Sequence, residues 1–258
     1  MNEQQIWTIW LCIWLFVLGA SLGSFLDCAV SRWTAGESWT GGRSRCVSCG
    51  HTLGAGDLVP VFSFLLRRGR CRYCGERIPA GCLLAELAGA GMMGCLALRF
   101  GPSPELGQWA VCGAILLALS VTDAMKRIIL DGLVALLLAN RAAWAVLLGC
   151  GAEELMTMAA ACLVPAALLV LVVLAEKALG REVMGGGDIK LLFALALYLS
   201  WAELLLTLLA GCLLGLGWAG LARRGRSAAL PFGPFLTAGA MVTVCFGAPV
   251  LEWYFGLF

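Results

Sequence analysis

The chain has 258 residues, of which 61% are hydrophobic and only 13% charged, and its mean hydropathy is +0.90. An average soluble domain is about 45–50% apolar and about 25% charged, so this composition excludes a disordered chain and argues against an ordinary soluble enzyme. The net charge of +2, from 18 basic and 16 acidic residues, comes with no basic stripe interleaved with aromatics, so nucleic acid is not an expected partner. A single histidine, His51, excludes any metal site or triad that needs two.

Taken in chain order, the apolar runs predict an all-α polytopic membrane protein with about eight transmembrane helices. They lie near residues 6–30, 81–99, 107–123, 128–149, 156–177, 189–200, 203–222 and 229–255. The first run has no basic residue before it and no small-residue cleavage site after it, so it reads as a retained span rather than a signal peptide. The organisation expected is a first transmembrane helix over 1–30, an extramembrane loop domain over 31–80, and a seven-helix membrane domain over 81–258.

Basic residues orient these spans. Loop 31–80 carries eight arginines, from Arg32 to Arg77. Lys126, Arg127, Lys177, Arg181, Lys190, Arg223, Arg224 and Arg226 then fall on the same side of an eight-span arrangement, leaving only Arg99 and Arg141 elsewhere. The opposite loops carry Glu105, Glu153, Glu154, Glu203 and Glu252. This bias predicts a cytoplasmic loop 31–80, with both termini outside.

Within that loop stand Cys46-Val-Ser-Cys49 and Cys71-Arg-Tyr-Cys74. Two such turns brought together by a hairpin supply four thiolates, the ligand set of a closed structural zinc site. Gly50 and Gly75 follow the pairs and suit tight turns around a metal. A redox role for the CxxC pairs is the competing reading, whereas structural disulfides do not fit a cytoplasmic loop. His51 is close to the cluster but outside a shell that four cysteines complete. The remaining nine cysteines sit singly in or beside spans, as small buried residues commonly do.

Carboxylates at the edges of spans are costly and need a reason. Those present are Asp27, Glu86, Asp123, Asp131, Glu176 and Asp188. Asp123 ends one span and Asp188 begins another, both on the side of the basic loops, so the two can meet in one cavity. Asp188 follows Gly185-Gly186-Gly187, which predicts a close backbone approach and positive φ ahead of a helix start that favours negative charge. Two close carboxylates share a proton, and one then acts as base while the other acts as acid. The plainer alternative is a helix-end surface residue at 123 and a simple N-cap at 188.

With these residues in this order, the chain resembles the type IV prepilin peptidases, GxGD aspartyl proteases of the bacterial plasma membrane. Gly23-Ser24-Phe25-Leu26-Asp27 is similar to a family signature ending in Asn, and the paired CxxC loop follows it. Asp123 with Asp131, then Gly185 to Lys190, then Pro231-Phe232-Gly233-Pro234-Phe235-Leu236 match further signatures in order. Departures are Asp27 for Asn, Leu130 for Pro, Gly42-Arg43-Ser44-Arg45 before Cys46, and Cys82 early in the second span. None touches Asp123 or Asp188, and those near the cysteine loop and the second span bear on methyl transfer more than on proteolysis.

The resemblance implies Asp123 and Asp188 as the catalytic pair, with Asp131 as a rival about two helical turns further on. It implies Glu86, Gly187 and Lys190 as site-lining or substrate-contacting residues. The substrate implied is a prepilin or pseudopilin with a short basic leader, cut at the cytoplasmic face. S-adenosylmethionine is the implied cofactor where the new N-terminus is methylated. Three other readings stay open on the residues alone. They are an archaeal preflagellin peptidase, a membrane transporter with intramembrane acids and a regulatory zinc site, and a quinone-linked thiol oxidoreductase.

Overall fold

The computed structural model describes residues 3–38, 41–221 and 230–256. Among these residues nine α-helices follow one another: α1 (Glu3–Thr34), α2 (Phe62–Leu66), α3 (Ala80–Phe100), α4 (Pro104–Lys126), α5 (Asp131–Leu148), α6 (Ala152–Leu179), α7 (Gly186–Ala196), α8 (Trp201–Leu221) and α9 (Gly233–Phe255). The strand-like pairings among the described residues are two isolated antiparallel bridges, Arg45 with Thr52 and Arg70 with Arg77. The chain is an all-helical, multi-pass membrane protein with a four-cysteine cluster between its first two long helices. Arg223, Arg224 and Arg226, which contribute to the charge bias, lie outside the described residues.

Seven of the described helices (α1, α3, α4, α5, α6, α8 and α9) are long and apolar enough to cross a membrane. The expected span at 189–200 is instead the 11-residue α7, well short of the roughly 20 residues a lipid-exposed helix needs. The 12-residue run at 189–200 is itself short for a span. The reason is burial: Leu191, Leu192, Leu195 and Ala196 are fully enclosed, so α7 is surrounded by protein and has no hydrocarbon thickness to match.

Two compact units divide the chain, Met1–Val121 and Thr122–Phe258. In the first, α1 and α3 touch backbone to backbone. A Cβ at Gly19 would lie 2.2 Å from the Gly89 carbonyl oxygen, and one at Gly23 only 2.1 Å from that of Ala85. Small residues that admit such contact are a main source of helix association in membranes. Gly23 of the expected signature is therefore a packing residue.

In the second unit, α7 ends against α5 and α6. Arg141 donates Nε–H to the Leu197 carbonyl at 2.7 Å, and its guanidinium pairs with Glu154. A cation is thus placed on the orphan carbonyls of a helix C-terminus. Tyr198 donates its hydroxyl to the Leu137 carbonyl at 2.6 Å. Arg141 escapes the charge bias because it is a buried helix cap and not a loop residue. Helices α8 and α9 meet through the Thr207 and Thr243 hydroxyls, 3.1 Å apart, beside Gly239.

Candidate functional site

Asp123 lies in the last turn of α4 and is only 6% exposed. Its Oδ2 accepts the backbone N–H of Gly233 at 2.9 Å. Gly233 is the first residue of α9, where unpaired N–H groups carry partial positive charge and favour an anion. A Cβ at Gly233 would stand 2.8 Å from Asp123 Oδ2 and 3.2 Å from Asp123 Cβ, so only glycine allows this approach. Sequence reasoning found the stretch around Gly233 only as a family likeness and assigned the residue no role. A glycine held between Phe232 and Pro234 at a helix start was the available signal.

Asp188 sits in the first turn of α7, outside the seven long spans. Burial first, and the charge of Asp123 second, push its carboxyl up to about 6. The charge of Asp123 thus reaches Asp188. The positive φ expected of the preceding glycines is absent, since none of Gly185, Gly186 and Gly187 has it. Their role is space. A Cβ at Gly187 would lie 3.0 Å from Ile129 Cβ, and one at Gly185 would lie 3.4 Å from Asp188 Oδ2, while Gly186 has nothing within 4 Å. Of the three, Gly187 is the position where a side chain would crowd its neighbour.

Asp131 is not two turns along the helix of Asp123. Arg127 takes φ +56 just past the end of α4, and Asp131 opens α5. There its exposed carboxylate binds Lys190 Nζ at 2.8 Å. Lys190 thus faces Asp131, and Gly187 packs on Ile129. Glu86 belongs to the first unit, buried in α3, where its Oε2 accepts the Val61 N–H at 2.7 Å. Asp27 and Cys82, two departures from the family pattern, are near enough to interact.

The four loop thiols of Cys46, Cys49, Cys71 and Cys74 all lie within 4.8 Å of one another. Cys46 and Cys74 Sγ are 3.9 Å apart, close to the roughly 3.8 Å edge of a tetrahedron with 2.3 Å Zn–S bonds. The two knuckles share one construction. Gly50 (φ +70) donates its N–H to the Cys46 carbonyl, and Gly75 (φ +73) to that of Cys71. The backbone N–H of Cys49 draws the Cys46 thiol down to about 6, toward the thiolate a metal binds. His51 stacks on Tyr73 at 3.6 Å between ring centroids, which ties one knuckle to the other. The donor set fits a closed four-thiolate zinc site.

Both compact units have counterparts in known proteins. A profile for the bacterial peptidase A24 N-terminal domain matches residues 17–100, and one for the type IV leader peptidase family matches residues 110–220. A Burkholderia pseudomallei protein named prepilin leader peptidase/N-methyltransferase is 37% identical, over 90% of this chain and 84% of its own length. Bacillus subtilis and Aeromonas hydrophila proteins of the same name are 32% and 34% identical, over 93% and 82% of this chain and 96% and 74% of their own. No solved structure matches the chain. With one family spread over both compact units, and whole-length relatives above 30% identity, this chain belongs to the type IV prepilin leader peptidase/N-methyltransferase family.

Proposed function

We propose that this protein removes the short basic leader from type IV prepilins or pseudopilins as an aspartic endopeptidase, with Asp123 and Asp188 as the catalytic pair. The observation that carries the reading is the buried Asp123, oriented by Gly233, acting electrostatically on Asp188. With one proton shared, the ionised carboxylate takes a proton from a water as that water attacks the scissile carbonyl carbon. The protonated partner gives its proton to the carbonyl oxygen, and the leaving amine is protonated as the C–N bond breaks. Asp123 Oδ2 is already held by Gly233, which leaves Oδ1 to face the water. Gly187 and Lys190 flank Asp188 and meet the substrate beside the cut. Glu86, in the first unit, is the weaker candidate for substrate contact, since its carboxylate already holds Val61.

The site and the zinc loop face the cytoplasm of a bacterial plasma membrane. That orientation rests on the positive-inside bias, with the short, protein-enclosed α7 taking the place of a sixth span. The zinc is structural, since four thiolates leave no open position. Methylation of the new N-terminus is the second activity named for the relatives. A cavity of about 320 Å³ beside α1 is lined by Ser21, Ser24, Phe25, Cys28, Arg32 and Ser44, but the Arg32 guanidinium is bound to the Gly41 and Arg43 carbonyls and the Ser21 hydroxyl to that of Val17. S-adenosylmethionine would supply the methyl group.

Co-expression with a prepilin tests the proteolytic reading through leader loss on a gel at matched enzyme levels. Asp123→Asn and Asp188→Asn should each abolish cleavage, and the double variant should be no worse, because groups acting as a unit are not additive. Normal cleavage by Asp188→Asn would overturn the assignment. The N-terminal mass of the product reports methylation in the same experiment.

A further inference from the structure

One exposed apolar element belongs to no span. Over residues 58–66 the chain exposes Leu58, Val59, Phe62, Leu65 and Leu66, with Phe62 66% and Leu66 82% exposed. The last three lie on α2, a single turn too short to be a lipid-crossing helix. Exposed apolar side chains on the seven long helices are accounted for by the bilayer they cross, but these are not.

The segment is fixed by an unusual turn. Val61 has φ +62 and ψ −52, and Phe62 N–H donates to the Pro60 carbonyl at 2.6 Å. That is a three-residue γ-turn of the rare sense, and a β-branched residue at positive φ persists only where its surroundings hold it. Here the holding group is a carboxylate, because the Val61 N–H bonds to the buried Glu86 Oε2 at 2.7 Å.

The position of Glu86 sets the depth of the turn. The 21 residues of α3 rise about 31 Å, which matches the roughly 30 Å hydrocarbon core. Glu86 lies six residues beyond Ala80, about 9 Å inside that length. Val61 is therefore tied to a point below the membrane boundary, and its apolar neighbours reach acyl-chain level. Arg67, Arg68 and Arg70 follow at once, the residue type that meets anionic headgroups beside an inserted apolar segment, with Arg67 also paired to Asp57. The partner that this combination fits is lipid.

We propose that residues 58–66 are a lipid-inserted anchor that seats the four-cysteine knob on the membrane face, with Glu86 as the positioning residue that sets its depth. The test uses the full-length protein in liposomes containing a phospholipid with a photoactivatable diazirine near the end of one acyl chain. A water-soluble diazirine is used in parallel, and adducts are mapped by mass spectrometry. Phe62, Leu65 and Leu66 should be labelled by the lipid probe to about the same extent as Leu171, an exposed residue of α6, and spared by the aqueous one. Labelling by the aqueous probe, or protection from both by a second copy or a substrate, would overturn the proposal.

Glu86→Ala should lower lipid labelling of 58–66 several-fold, while Glu86→Gln, which keeps an acceptor oxygen, should preserve it. Unchanged labelling in a folded Glu86→Ala would remove Glu86 from the proposal. Should that variant fail to fold, the wild-type labelling pattern still decides whether the anchor exists. No arm of the experiment reads proteolysis, so its outcome is separate from that of the peptidase assignment.

Discussion

The backbone N–H of Gly233 donates to the carboxylate of Asp123 across 110 positions of sequence, and both groups are buried. The start of α9 thereby orients a side chain at the end of α4. One carboxylate oxygen is committed to the protein, which leaves the other for the chemistry proposed above.

Gly233→Ala follows from this contact. The added Cβ would stand 2.8 Å from Asp123 Oδ2, and the cheapest relief is rotation of the Asp123 side chain. Prepilin cleavage should fall about 10²-fold or more, in the range lost when an acid–base group is misplaced, while the melting temperature in detergent changes little. Cleavage within a factor of about two of wild type would show that the orientation of Asp123 is not set by α9.

Asp131 and Lys190 form an exposed pair at 2.8 Å, and exposed pairs contribute about 0–1 kcal/mol. Asp131→Asn should keep substantial cleavage and near-native stability. Loss of cleavage in Asp131→Asn together with its retention in Asp123→Asn would exchange the two aspartates in the mechanism.

The carboxyl of Asp188 is raised from 3.8 to about 6 by burial and by Asp123. Between those values the folded protein binds more protons than the unfolded chain. Stability therefore falls as pH rises through the window and stays lower above it. Asp188→Asn removes the ionisation. It should melt above wild type at pH ~7.5, and the difference should close towards pH ~4. A melting difference that is flat with pH would contradict the raised carboxyl.

Metal analysis of the purified protein should find about one zinc per chain, and Cys46→Ser or Cys71→Ser should lose it. Loop 41–78 should then become sensitive to limited proteolysis, because metal binding and local folding are coupled. A metal-free preparation with an intact loop and full activity would reject the site.

Reporter fusions at Gly54 should read as cytoplasmic, and fusions at Ser103 and Gly151 as external. Reversal at any two of these would invert the orientation and take the aspartates away from the basic leader of a prepilin.

Much of this arrangement is legible in the sequence because its signals are local. CxxC spacing with a following glycine specifies each knuckle, and Gly185-x-Gly187-Asp188 announces a crowded helix start. Long apolar runs likewise mark the seven long helices. What escaped depends on contacts between distant residues. Gly233 is meaningful only once Asp123 is placed against it, and the partner of Lys190 only once α5 begins at Asp131. Periodicity also cannot tell α7 from a lipid-exposed span, since a helix buried in protein is as apolar as one facing lipid. Of the two reasons expected for glycine before Asp188, close approach holds at Gly187 and positive φ does not.

The close approach of Gly19 to Gly89, and of Gly23 to Ala85, makes α1 and α3 a stem. A Cβ at Gly19 or Gly23 would fall inside a facing carbonyl group, so sliding the helices by one residue is sterically closed. The stem therefore has a single register, and it holds the two ends of the intervening loop, Thr34 and Ala80, in place whether or not the loop is folded. The knob between them is a graft on a rigid hairpin. Opening of the four-cysteine cluster should loosen the graft and leave the hairpin standing.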